Sequence, residues 1–445
     1  VTLTDHARAL VAEAASGEQV EVYLVESRTV EVEVRDERVE SFCAATDTGA
    51  SVRVVTDGRE GLAWAAHPAE LPGALTAARA NAAASEPDPT LGLPDPGDCS
   101  GPAVELDLWC DDVPGTPVED KVALALALER ATLGADPRIR GAEKVAYRDA
   151  ATRTVLCTST GVVVEDRRTA CSVTTVAMAE DGDGTQTGWG LCARRRVADL
   201  DVAAAATEAT TRALRLLGAA PVRSRRTTVV FDPLVTRSLL ALVGAALCGD
   251  AVQRGRSIFT DRLGEEVAAG TVTLVEDPTL TEAWGAATHD GEGVPTRRVP
   301  LIDGGRLETF LHNVTSARRA GARTTGSAAR PLHAPPGVAA RALHLTGGRR
   351  RLEEIVASVD DAFYVQAVTG LHSGVNVVSG DLSLGAVGCL VRGGALARPV
   401  REVTIASTLP RLLRSVREVG ADLRWLPGGA AGCTLVVDDV TLSGT

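Results

Sequence analysis

The segment Ser238-Leu-Leu-Ala-Leu-Val-Gly-Ala-Ala-Leu-Cys-Gly-Asp-Ala-Val-Gln-Arg-Gly-Arg-Ser-Ile-Phe259 begins as an apolar helix and ends as a polar, glycine-broken turn. Between Leu239 and Leu247 no ionisable group interrupts it. That run is about half of the roughly 18 to 20 apolar residues a membrane-spanning helix needs. It therefore reads as a buried packing helix closed by a glycine cap. Cys248, in an apolar setting that raises a thiol's pKa, reads as an inert core thiol.

Downstream and upstream of this helix the composition differs. From Thr227 the chain turns to strands and glycine-rich turns, with Thr227–Phe231, Gly270–Val275, Pro300–Leu301, Arg306–Leu311 and Thr404–Ala406 as candidate strands. Asp303-Gly-Gly305 reads as a hairpin turn. Residues 223–445 are expected to form a large β-rich domain. At the other end, His6–Ala15 reads as a short amphipathic helix stopped by Gly17, and Val20–Val25, Thr29–Val34 and Gly49–Thr56 as strands. A helical segment over 68–83 completes a small α/β unit at 1–84. Prolines 87, 89, 94, 96, 102, 114 and 117 then forbid long regular elements, so 85–116 reads as a solvated linker. Thr116-Pro-Val-Glu119 has the form of a capping box opening a helix that runs to about Leu133. A hairpin with Gly161 at its turn and a helix over Asp201–Leu217 make 117–222 a middle α+β region. The fold class is α+β, multi-domain.

Composition excludes several functions. The formal net charge of −12 argues against binding a phosphate backbone, so no nucleic acid partner is expected. Nearly all positive charge is arginine, since Lys121 and Lys144 are the only lysines. Nine cysteines without a Cys-x-x-Cys pair indicate neither a disulfide framework nor a zinc knuckle. The opening Val1–Asp5 lacks a basic-then-apolar pattern, so a cytoplasmic location and no membrane partner are expected.

Two glycine-rich stretches carry candidate chemistry. In Asp290-Gly-Glu-Gly-Val-Pro-Thr296, Asp290 and Glu292 sit on tight turns, where shaping a loop outweighs acid–base work. In Gly370-Leu-His-Ser-Gly-Val-Asn-Val-Val-Ser-Gly-Asp381, His372, Ser373 and Asp381 suggest a triad. Adjacent residues of an extended chain point to opposite faces, however, so His372 is poorly placed to activate Ser373. No two of the seven histidines stand at i, i+3 or i, i+4. The usual local zinc signature is thus missing.

Taken in order, these motifs resemble the TldD/PmbA family of modulator-of-gyrase, metallopeptidase-type proteins. The resemblance rests on Glu21-Val-Tyr, the Thr-Ser-Thr-Gly161 hairpin, Leu247-Cys-Gly-Asp-x-x-x-Arg-Gly255, Asp290-Gly-Glu-Gly-Val-Pro-Thr296, His372-Ser-Gly-Val-Asn-x-x-Ser-Gly-Asp-x-Ser-Leu-Gly385 and the ending Thr434–Gly444. The TldD type carries His-Glu-x-x-x-His before the Leu-x-Gly-Asp turn. Setting that turn on Leu247–Asp250 puts Leu240, Ala241 and Ala245 where the two histidines and the glutamate would stand. None of the three can ligate a metal or serve as a base. The TldD type's late cysteine ligand also has no counterpart in Trp425–Ala431.

The resemblance therefore implies a PmbA/TldE-type subunit with no metal or catalytic residue of its own. It implies pairing with a zinc-bearing TldD-type subunit in a heterodimer that hydrolyses peptide or amide bonds of unfolded or modified peptides, with specialised-metabolite (antibiotic) biosynthesis as a setting. Arg254, Arg256, Asp290, Glu292, His372, Ser373 and Asn376 are the expected substrate- or partner-facing residues, on loops at 290–298 and 370–385. Two alternatives stand beside this reading: a homodimeric ligand-binding or scaffold protein without a peptidase partner, and a metal-free hydrolase using Ser373, Cys248 or Glu292.

Overall fold

A computed structural model describes residues 2–182 and 184–444. Its first helix, α1 (Leu3–Val11), starts earlier than expected because Thr2 and Asp5 form a reciprocal capping box. The two strands expected next are one, β1 (Gln19–Arg35). Glu26 and Arg28 keep the two-residue period that carries Val20, Val22 and Leu24 into Val30, Val32 and Val34 on the same face. β2 (Arg38–Thr56) returns through Asp36 and Glu37, both at positive φ (52° and 56°), the turn geometry that matches strand twist. β3 (Arg59–Ala65) and α2 (Leu71–Ala84) complete the unit.

The chain then repeats this plan. After the turn α3 (Asp112–Gly115) come α4 (Val118–Leu133), three strands β4 (Ile139–Thr158), β5 (Val163–Asp181) and β6 (Gly184–Arg194), and α5 (Val202–Arg215). β1 and β4 pair antiparallel from Glu21↔Thr158 to Glu33↔Ala146, giving one six-stranded sheet in the order β3-β2-β1-β4-β5-β6. Segments 1–84 and 117–222, expected as separate units, therefore share a sheet. Their joining removes two long strand edges that would otherwise stand open.

The helices cover one face of this sheet. Ala74, Ala78 and Ala82 pack over Val22 and Val52, and Ala205 and Ala206 pack near Val32, Tyr147 and Val173. Small residues let the helices sit directly on strand backbone. A Cβ at Gly61 would lie 2.0 Å from the Ala78 carbonyl oxygen, and one at Gly190 would lie 2.1 Å from that of Ala205.

Two expectations need correction here. The capping box at Thr116 does not form: Pro117 is the N-cap without a side-chain bond, and the Thr116 hydroxyl donates instead to the Asp112 carbonyl (2.6 Å) in the preceding turn. The proline-rich segment is irregular but not loose. The Leu93 amide donates to Gln19 Oε1 (2.8 Å), Arg318 Nη2 donates to the Leu93 carbonyl (2.9 Å), and Leu108 is buried against Ala283, Ala286 and Ala342. It straps the N-terminal sheet to the C-terminal domain.

That domain runs through β7 (Arg225–Phe231), α6 (Pro233–Ala246), α7 (Gly249–Gln253), β8 (Leu274–Glu276), β9 (Val299–Asp303), β10 (Arg306–Leu307), α8 (Val314–Arg319), β11 (Ala328–Ala329), β12 (Gly337–Val338) and β13 (Leu343–Leu345). α9 (Leu352–Ala357), β14 (Asp361–Thr369), β15 (Asp381–Arg392), β16 (Ala395–Thr408), α10 (Leu409–Arg414), β17 (Val416–Val419) and β18 (Leu435–Ser443) follow. A six-stranded sheet, β16-β15-β14-β7-β18-β17, and a four-stranded one, β10-β9-β8-β13, share the largest apolar core, into which α6 packs. The expected turn at Asp303 forms, with Gly304 and Gly305 at φ 52° and 88°. Among the described residues no helix is long and apolar enough to cross a membrane.

The glycine seats predict a specific sensitivity. Gly61→Val and Gly190→Val, measured by denaturant unfolding, are each expected to lose about 2 kcal/mol or more through overpacking. Gly73→Ala, where a Cβ meets nothing within 4 Å, is expected to be neutral or stabilising by ~0.5–1 kcal/mol. A neutral Gly190→Val would contradict the direct seating of α5 on β6.

Candidate functional site

α6 is set rigidly at its start. Asp232 caps it by accepting from the Leu234 amide (2.9 Å), and the same carboxylate takes both Arg212 Nη2 (2.8 Å) and the Tyr364 hydroxyl (2.6 Å). Pro233 supplies the first helical position, where its missing N–H costs nothing. Along the helix, Leu240 points into the core beside Phe231, Leu412 and Val437, whereas Ala241 and Ala245 are exposed and one turn apart. Of the three positions where the resemblance would put a zinc motif, two thus share the surface and the third is buried. Their side chains do not fit a zinc ion, and among the described residues no three His, Cys, Asp or Glu side chains group to hold one.

The turn beyond the helix is closely packed. Cys248 is buried, its thiol donating to the Gly244 carbonyl (3.3 Å), and burial pushes its pKa up to about 12. A nucleophilic thiolate at neutral pH is disfavoured there. The Gly249 amide donates to the Leu311 carbonyl (2.7 Å), and a Cβ at Gly249 would meet the His312 ring at 2.2 Å. The turn at 254–258 docks back on α6, with the Ser257 hydroxyl donating to the Ala246 carbonyl (2.5 Å). Arg254 and Arg256 are exposed on that turn, Arg254 lying 3.9 Å from Asp250.

The structure brings the 370–380 loop beside this turn, since the Cβ position of Gly380 is 3.0 Å from Ile258. His372, Ser373 and Asn376 are exposed there, as are Val377 and Val378. Asn376 Oδ1 accepts from the amides of Val378 (3.0 Å) and Ser379 (3.2 Å), and Asp381 accepts from the Ser379 hydroxyl (2.6 Å). Asp381 therefore serves the turn rather than a triad with His372 and Ser373.

Asp290 and Glu292 lie elsewhere. They were expected on a loop facing a substrate or partner; both are buried, because residues 290–296 pack beneath the N-terminal sheet, where Gly293 meets Val162 and Leu156. Asp290 accepts from the amides of Glu292 (2.9 Å), Val294 (3.0 Å) and Ala328 (2.9 Å), and Glu292 from that of Val314 (2.9 Å). Glu292 Oε1 is also 3.7 Å from Arg53, which holds Glu60 at 2.6 Å and Glu21 at 3.5 Å; Glu21 in turn pairs with Arg330. Burial, joined by the nearby Asp290, raises the pKa of Glu292. The cluster of Glu21, Arg53, Glu60 and Arg330 escaped sequence reading: Glu21 and Arg53 alternate with valines and look like a solvated strand face, and nothing local marks Glu60 or Arg330.

An intramolecular pair of α-β-β-β-α units clamped through buried charges onto a β-rich domain defines a multi-domain α+β class. The chain belongs to the PmbA/TldD metallopeptidase family: its residues 20–82, 111–217 and 224–444 match the models of PmbA/TldA metallopeptidase domain 1, central domain and C-terminal domain. It is 26% identical over 416 residues to the Metalloprotease PmbA of Escherichia coli O157:H7, covering 92% of this chain and 90% of that one. To a Metalloprotease TldD homolog of Buchnera aphidicola it is 25% identical over 218 residues, 46% of this chain and 45% of the other. A Thermotoga maritima structure described as a candidate modulator of a DNA gyrase superposes with a TM-score of 0.92 at 22% identity, covering 99% and 100% of the two chains. TldE from Thermococcus kodakarensis gives 0.89 at 20% identity, with 99% of each covered.

Glu276 on β8, beside this seam, is fully buried and accepts from the amides of Arg341 (2.7 Å) and Ala342 (3.1 Å). Burial pushes its pKa up to about 7. A carboxyl whose folded pKa is raised stabilises fully below its unfolded pKa, and that stability is lost as pH rises through the folded one. Unfolding free energy is therefore expected to fall between about pH 4.5 and pH 7, with Glu276 contributing on the order of 3 kcal/mol. In Glu276→Gln, denaturant titrations across that range are expected to give a visibly flatter profile, and an unchanged slope would contradict the assignment.

Proposed function

We propose that this chain is the metal-free, TldE/PmbA-type subunit of a two-chain TldD/TldE peptidase. In this reading it pairs with a zinc-bearing TldD-type subunit, in the cytoplasm, and the complex hydrolyses peptide or amide bonds of unfolded or modified peptides. The observation that carries the proposal is α6: Leu240, Ala241 and Ala245 stand where the TldD type places two histidines and a glutamate, while the surrounding Cys248-Gly249-Asp250 frame is kept. A subunit that has lost ligands and base but kept their setting is suited to shaping a chamber around chemistry performed by another chain.

The turn at 254–258 and the loop at 370–380 meet where Gly380 lies against Ile258, and Arg254, Arg256, His372, Ser373 and Asn376 are exposed on them. Extended peptides bind by main-chain hydrogen bonds to exposed strand edges, and Arg254 and Arg256 suit a carboxylate of substrate or partner. A biosynthetic setting, in which the substrate is a modified peptide on the way to a specialised metabolite, is part of the proposal.

Co-expression tests it. The chain is expected to co-purify one-to-one with a TldD-type subunit, and chelator-sensitive peptide cleavage is expected only from the pair. An inert homodimer that ignores the TldD-type chain would favour the scaffold alternative. Cleavage by this chain alone in the presence of chelator would favour a metal-free hydrolase.

A further inference from the structure

Between the N-terminal sheet and the C-terminal domain lies a cavity of about 280 Å³. Its floor is the sheet face opposite the helices, where Tyr23, Thr154 and Leu156 stand, and its far wall is made by His289, Arg330 and Arg341. The proposed peptidase role uses none of these residues.

Arg330 is the informative member. Its side chain is only 2% exposed, stacked with its guanidinium carbon 5.2 Å from the Tyr23 ring centroid. Nη1 donates to Glu21, but Nε and Nη2 have no hydrogen-bond partner among the described residues. These two nitrogens form one edge of the guanidinium, with their N–H bonds nearly parallel, and that edge matches the two oxygens of a carboxylate. The chain uses the same edge this way elsewhere: Arg79 Nε and Nη2 both hold Glu18 at 2.8 Å, and those of Arg138 hold Asp136 at 3.0 and 2.9 Å. Arg330 lines the cavity with this edge buried, and Arg341, from the same wall, has an Nε that is likewise unpartnered among the described residues.

The nearby acids do not fill these donors. Glu21 meets Arg330 only through Oε1 and Nη1, its Oε2 having no hydrogen-bond partner among the described residues; both Asp290 oxygens accept from backbone amides, and Asp166 Oδ2 is held by Arg168 at 2.6 Å. Leaving charged donors buried and unpaired is costly, and in the cavity lining Arg168, Arg330 and Arg341 outnumber Asp166 and Asp290, a balance that suits an anionic occupant. Aromatic and aliphatic lining beside threonine hydroxyls suits a small organic acid better than a bare inorganic ion.

We propose that this cavity binds a small carboxylate ligand, its two oxygens taken by Arg330 Nε–H and Nη2–H with Arg341 lending a further N–H. The ligand chemistry is a carboxylate on a short, partly apolar body, whether a free acid or the C-terminus of a short peptide. The test is calorimetric titration of the full chain with N-acetylalanine, its uncharged amide and tri-alanine. The acid is expected to bind saturably and at least tenfold more tightly than the amide; tri-alanine binding more tightly than N-acetylalanine would identify a peptide terminus as the source, and the reverse a free acid. Arg330→Lys, which keeps the charge opposite Glu21 but lacks the two-donor edge, is expected to weaken acid binding at least tenfold. Equal binding of acid and amide, undiminished binding by a folded Arg330→Lys, or no saturable binding of either acid would overturn the proposal. Should Arg330→Lys fail to fold, the acid-to-amide comparison on the unaltered chain decides alone. None of these outcomes depends on the peptidase reading.

Discussion

The architecture turns on Arg53. It stands on β2 with only 1% of its surface exposed, and it holds carboxylates from β1, β3 and the C-terminal domain's 290–296 loop. Burial works against its charge, but Glu21, Glu60 and Glu292 hold its pKa above the usual arginine range. Removing one partner of such a buried cluster strands the others without water, at a cost of about 3–5 kcal/mol. The cluster therefore dictates one docking of the N-terminal sheet on the C-terminal domain. It also explains why Asp290 and Glu292 face inward and why a cavity with an arginine wall opens between the two bodies.

The sequence revealed local elements and concealed the long-range ones. The Gly161 hairpin, the helix α5 and the Asp303 turn were all legible, because each is fixed by residues within a few positions of one another. The length of β1 was not, since Ser27 and Arg28 interrupt its apolar composition without interrupting its geometry. The internal repeat was also missed. Its two halves share glycines beneath helices and alanines above them rather than a common string of residues. Glu21 and Arg330, paired but 309 positions apart, belong to the same class of feature. No local pattern distinguishes a strand glutamate facing water from one facing a buried guanidinium.

The motif positions teach a complementary lesson. The run to Leu247 is the buried packing helix expected and Cys248 the buried thiol, but no glycine caps the helix: Leu247 is its C-cap, and Gly249, without a positive φ, opens α7. The geometry adds that Ala241 and Ala245 lie on the exposed face of α6 while Leu240 belongs to the core. Alanine at the two exposed positions suits the helix itself, because alanine is the best helix former. Membership of the PmbA/TldD family, together with that substitution pattern, underlies the proposal of a silent subunit.

The central claim, that the chemistry belongs to another chain, is tested most directly by metal stoichiometry. Purified from co-expression and passed through gel filtration, the complex of this chain with its TldD-type partner is expected to carry one zinc ion per pair. The isolated chain, titrated with zinc in the presence of a weak competing chelator, is expected to take up none. Stoichiometric zinc binding by the isolated chain would contradict the account.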